Sequence, residues 1–78
     1  MPIVSIKTMN GALTEELKSE IHRRICEVMV ETEGRGNKEF ARYVTVIIEE
    51  QAPGNFSVGG QMANQEFVNK IVAGAPSK

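Results

Sequence analysis

Few residues in this chain of 78 have side chains or positions suited to chemistry, and the first is Pro2, directly behind Met1. Proline is small enough for an initiator methionine ahead of it to be removed routinely. What is then exposed is a secondary amine on a rigid ring. An α-amino group titrates at about 7.7–8.0 before any perturbation. Burial beside apolar groups, or a nearby cation, lowers that value further. A base poised near neutrality is what proton abstraction next to a carbonyl requires. The plainer account of Pro2 is that it opens a strand, where its missing N–H is tolerated.

An anionic substrate would also need a cation. Arg35 lies in the Gly34-Arg35-Gly36 loop, from which a flexible side chain can reach a ligand. Arg42 stands at the entrance of a β-branched run and is able to grip a carboxylate through two hydrogen bonds; Lys7 is a weaker third candidate. Solvent exposure or a surface ion pair is the ordinary fate of such residues. His22 and Cys26 are four apart on one face of a predicted helix, as two metal ligands can be. No other histidine or cysteine exists to complete the set, so neither metal nor cofactor is expected. The Gly34-Arg35-Gly36 stretch lacks the third glycine of a dinucleotide loop and follows a helix rather than a strand. Glu49 and Glu50 are neighbours on a predicted strand and point to opposite faces, which argues against a catalytic carboxylate pair.

The elements that must position these residues follow from pattern. Pro2 to Lys7 reads as a short strand, and Thr8 to Ala12 as a turn around Asn10-Gly11. Thr14 is a natural N-cap, with Glu15 and Glu16 facing the positive end of the helix dipole. Leu17, Ile21, Ile25, Val28, Met29 and Thr32 recur at helical spacing, which predicts one apolar stripe on a helix over residues 14–33. Arg42 to Glu50 is the best strand in the chain, and its central residues are apolar on both faces. That pattern is typical of a parallel strand covered on both sides. A strand–helix–strand order with so long a crossover implies parallel pairing and a right-handed connection. Pro53-Gly54 fits a type II turn. Gly59-Gly60 turns a small hairpin, Phe67, Val68, Ile71 and Val72 mark a short helix, and Ala73 to Lys78 reads as a frayed tail.

Seventy-eight residues make one domain, and a chain this short buries only about 60% of its unfolded surface. One cysteine excludes an internal disulfide framework, which leaves oligomerisation as the expected source of stability. One helix can cover only one face of a small sheet, so another subunit is expected against the other. A net charge of −1 gives no reason to expect nucleic acid or an anionic membrane as partner. There is no long apolar run, and a cytoplasmic protein is expected.

With Pro2, this element order and the run Ala52-Pro53-Gly54-Asn55-Phe56-Ser57-Val58-Gly59-Gly60 in view, the chain resembles the 4-oxalocrotonate tautomerase family over about its first 63 residues. The resemblance implies an α+β fold: a β-α-β subunit with two parallel strands, one crossover helix and a small C-terminal hairpin. Residues 1–63 would be the tautomerase-like domain and 64–78 an extension. It further implies a hexamer, a trimer of dimers, in which the amino-terminal proline shuttles a proton on a small anionic 2-oxo acid or enol. Pro2 matches the catalytic amine and Phe56 the aromatic that keeps the pocket apolar, with Arg35 and Arg42 as substrate-binding candidates. Two positions depart from the pattern: Ala12 and Thr45 stand where the family tautomerase has arginines. The departures argue against a diacid substrate, and leave open a partner subunit of a mixed hexamer that has no activity of its own.

Overall fold

Alternation of side chains along Ile3–Met9 builds strand β1, and the β-branched run Thr45–Gln51 builds β2. The two pair in parallel from Ile3 against Thr45 to Met9 against Gln51. Between them runs helix α1, Glu15–Glu31. Beyond them come β3 (Ser57–Val58) and β4 (Gln61–Met62), which pair as an antiparallel hairpin, and helix α2 (Gln65–Gly74). This α+β architecture is that of a computed structural model, which describes residues 1–74.

Local chemistry sets the boundaries. The Thr14 side chain accepts a hydrogen bond from the Leu17 amide at 3.1 Å, so α1 begins where the cap predicts. At its other end the amides of Gly34 and Gly36 donate back to the carbonyls of Met29 and Val30, which closes the helix at Glu31 rather than at 33. β1 runs on to Met9, so the turn expected over Thr8 to Ala12 shrinks to its centre, where Gly11 takes a φ of 88°. β2 starts at Thr45, not Arg42. Lys38–Tyr43 winds instead into a 3-10 helix, because Asn37 Oδ1 accepts from the Glu39 amide at 3.0 Å and Phe40 meets Tyr43 edge to face. Pro53-Gly54 is not a type II turn either. Pro53–Asn55 is a 3-10 turn, and the left-handed glycines among the described residues are 11, 36, 59 and 60. Ala73 and Gly74, expected as tail, belong to α2; Ala75 to Lys78 of that tail lie outside the described residues.

Val4, Ile6, Val46 and Ile48 are half-buried on the sheet face that carries Glu50. That face is the one turned to α1, because Glu50 Oε1 sits 2.7 Å from Lys18 Nζ. Ile21, Ile25 and Met29 are half-buried from the helix side, while Leu17 and Val28 remain about half exposed. The opposite sheet face carries Ile3, Ser5 and Lys7 beside Thr45, Ile47 and Glu49. Ile3 is 70% exposed and Ile47 is 42% exposed, so the strand expected to be covered on both sides has one side open in a single chain. Only Ala63 and Val68 are fully buried among the described residues. The accessible surface is 5854 Å², against about 4,700 Å² for a compact monomer of this mass. Ile3, Val58, Met62 and Ile71, each more than half exposed, are among the large apolar side chains that folding alone leaves in water.

Lys18 reaches from helix to sheet and also contacts Glu15 at 3.0 Å. Its hydrogen bonds to Glu50 first, and to Glu15 second, hold the ammonium charged to higher pH than an ordinary lysine. A raised lysine stabilises the fold below its unfolded value and loses that contribution as pH climbs through the folded one. Lys18→Met is therefore expected to melt below the parent protein at pH 7, with the gap closing above about pH 10.5. A gap that stays constant into strong alkali would show that packing, not charge, is what Lys18 contributes.

Candidate active site

Pro2 sits at the first rung of the sheet. Its carbonyl accepts a hydrogen bond from the Thr45 amide at 3.1 Å, which fixes the residue against the start of β2. The ring is half-buried, and the amine of Met1 ahead of it lies 3.7 Å from Glu33 Oε2. That contact follows from topology. A crossover helix runs antiparallel to the strand before it, so the segment leaving α1 returns to the end where β1 begins.

Arg35 and Arg42 lie on that returning segment. Arg35 takes a φ of 52° between Gly34 and Gly36, a left-handed conformation that costs a residue with a Cβ about 1 kcal/mol or more. Its side chain is exposed and makes no ion pair among the described residues. Arg42 closes the 3-10 helix, and its guanidinium Nη1 donates to Glu39 Oε1 at 3.1 Å with both groups about three-quarters exposed. Residues 31–43 hold three acids, Glu31, Glu33 and Glu39, and three bases, Arg35, Lys38 and Arg42. The charge at the end that carries Pro2 is thus balanced. Lys7 is farther up β1, on the open face, next to Glu49.

Phe56 is at the other end. It follows the 3-10 turn after β2, and its amide donates to the Pro53 carbonyl at 2.9 Å. The Asn55 side chain donates to that of Gln51 at 3.4 Å, which keeps the turn beside the last rung. Six residue steps separate Thr45 from Gln51, and at about 3.3 Å per step the two ends of the sheet are roughly 20 Å apart. One chain therefore brings Pro2, Arg35 and Arg42 to the same end and leaves Phe56 at the opposite one. No group of three His, Cys, Asp or Glu side chains comes together among the described residues. None of the helices there is long and apolar enough to cross a membrane.

Two open grooves flank this frame, and neither includes Pro2 or Phe56. One, of about 690 Å³, lies along the end of α1 between Cys26, Val30, Lys38 and Ala41. The other, of about 520 Å³, lies between the hairpin and α2, with Val58, Met62 and Phe67 on its apolar side and Lys70 beside them. Glu33 and Lys70 were both passed over in the sequence. Topology gives a signal for the first, since the end of a crossover helix must lie near the preceding strand's start. For Lys70 the only signal is a cation set between Phe67 and Ile71 on an apolar stripe.

A protein-family model described as Tautomerase enzyme matches residues 2–65. Among solved structures, the chain is similar to YwhB, a homologue of 4-oxalocrotonate tautomerase. Identity is 28% over 78% of this chain and 92% of that one, with a TM-score of 0.66. It is similar also to DmpI from Helicobacter pylori, at 28% identity over 78% of this chain and 94% of that one, with a TM-score of 0.65. TomN, a 4-oxalocrotonate tautomerase homologue in the tomaymycin biosynthetic pathway, shares the fold at 22% identity. There the coverage is 92% of this chain and 95% of that one, and the TM-score is 0.68. No match was found among curated proteins.

The loop that presents Arg35 depends on Gly34. A Cβ built there would stand 2.7 Å from Cβ, Cγ and Cδ2 of Phe40, atoms near the root of that side chain that cannot swing away. Gly34→Ala is expected to cost about 1–3 kcal/mol of stability by overpacking, measured by urea denaturation. A cost indistinguishable from that of an alanine placed elsewhere on the surface would mean that Phe40 is not seated as described.

Proposed function

The chain belongs to the tautomerase enzyme family, and on that premise we propose that it is an isomerase acting on a small enol or unsaturated 2-oxo acid. The amine of Pro2, freed by loss of Met1, is the base and then the acid. It takes the enol's hydroxyl proton as the electron pair moves to carbon. The resulting ammonium returns a proton to that carbon, so Pro2 ends the cycle as it began. The observation that carries this reading is the hydrogen bond from the Thr45 amide to the Pro2 carbonyl, which holds the residue at the first rung of the sheet.

Phe56 supplies the apolar wall that disfavours the ammonium form. At roughly 20 Å from its own Pro2 end it acts on the proline of another copy. The site is accordingly shared between protomers of a homo-oligomer, a hexamer built as a trimer of dimers. The open sheet face with Ile3 and Ile47 is the surface such an assembly covers. Arg35 and Arg42, on the Pro2 side, draw the anion in. A second reading, a partner subunit in a mixed hexamer, is favoured by one observation: the charge at that end is balanced, with Arg42 already held by Glu39.

Ketonisation of a simple 2-oxo acid enol, followed by ultraviolet absorbance, tests both readings. The homo-oligomer alone is expected to turn over, and Pro2→Ala to lower kcat/KM by at least about 100-fold. Turnover indifferent to that substitution, or an intact mass that retains Met1 in active protein, defeats the proline mechanism. Activity that appears only on adding a second family chain transfers support to the mixed assembly.

A further inference from the structure

We infer that Lys70 binds the substrate's carboxylate, supplied from α2 to the Pro2 site of another copy. The inference rests on the reading above, in which Phe56 serves a neighbour's proline, and adds to it the residue that recognises the anion. The groove adjoins Phe56 through Ala63, which lines it. The Phe56 carbonyl accepts from the Ala63 amide at 2.9 Å. Ala63, after β4, and Val68, on α2, are at 5% and 2% exposure the most buried side chains among the described residues, so both the hairpin's end and α2 are anchored on the body of the chain. Asn64 then caps α2 by accepting from the Phe67 amide at 2.9 Å, which fixes where the first turn points.

The groove so held, about 520 Å³, has the chemistry for a small acid with an apolar body. Val58, Met62 and Phe67 form its apolar side, and Val58 and Met62 are 65% and 72% exposed, ready to be covered. Lys70 is its only base. Glu66 lines it too, four residues earlier on α2, yet the two make no ion pair among the described residues; Lys70 shares that with Lys7, Arg35 and Lys38, and of these four it alone lines this groove. Lys70 thus keeps three ammonium donors for a ligand. At Pro2's own end Arg42 is already paired with Glu39, so a cation from another copy adds to what Arg35 can offer the anion. Gln65 Nε2 donates to Asn69 Oδ1 at 3.0 Å on the neighbouring face of α2, which keeps those amides out of the groove.

The test compares an enol of a 2-oxo acid with that of its uncharged methyl ester. Lys70→Met is expected to raise KM for the acid by about 10-fold or more, the loss of one charged hydrogen bond, to leave KM for the ester near its parent value, and to be rescued in part by Lys70→Arg. Co-assembly of Lys70→Met with Pro2→Ala chains then yields sites that take Pro2 from one and Lys70 from the other. Turnover with the parent KM, absent from either variant alone, is expected. An unchanged KM in Lys70→Met, an equal rise for acid and ester, or co-assembly that restores nothing would each overturn the assignment while Pro2→Ala still abolished turnover. Activity surviving Pro2→Ala would instead remove the reading on which the inference stands.

Discussion

Seven residues of parallel pairing, from Ile3 against Thr45 to Met9 against Gln51, set the distance on which everything else in this molecule depends. A parallel pair puts both strand starts at one end and both strand finishes at the other. Pro2 precedes the first rung and Phe56 follows the last. No side chain spans roughly 20 Å, so Pro2 and Phe56 do not meet within one chain. On the proposed reading their proximity comes from association, and the open sheet face with Ile3 and Ile47 is the surface available for it.

Charge is used in two ways along the same helix. Glu20, Arg23, Arg24 and Glu27 form a ladder on the exposed side of α1. Arg23 first and Arg24 second hold the Glu20 carboxyl below its usual range. Exposed pairs of this kind contribute little to a fold, because water screens them and both side chains must be ordered. Lys18 to Glu50 differs because it joins helix to sheet, on the face where Val46 and Ile48 are half-buried, and so fixes how the helix lies on the strands. A lysine at that position interrupts the apolar surface of α1 but ties helix to sheet at the edge of the half-buried cluster of Ile6, Ile21, Ile25 and Ile48.

Much of this was readable from residue order. Thr14, with acids behind it and apolar residues at helical spacing, announced α1, and the crossover length announced parallel strands. Thr45 to Gln51 could not hide its β-branched character. The failures were local. Asn37 looks like one more loop residue until its side chain is seen capping Lys38–Tyr43, which takes Arg42 out of the strand. Pro53-Gly54 satisfies a turn rule that a 3-10 turn satisfies equally well. At the candidate site, Pro2 stands out in the sequence because the chemistry proposed for it depends on position in the chain. That Phe56 stands at the other end follows from parallel topology. Lys70 was hidden, because a lysine on a short surface helix is ordinary until a groove is seen beside it.

A sheet of only two strands has no interior strand: β1 and β2 each offer a full edge of unpaired amides and carbonyls. Edges of that kind template pairing with any extended peptide nearby. A single chain is thus open to such pairing from the moment Thr45 finds Ile3, some forty residues after it in the sequence, for as long as those borders stay bare. Covering those borders therefore protects the fold itself, whatever chemistry the chain performs.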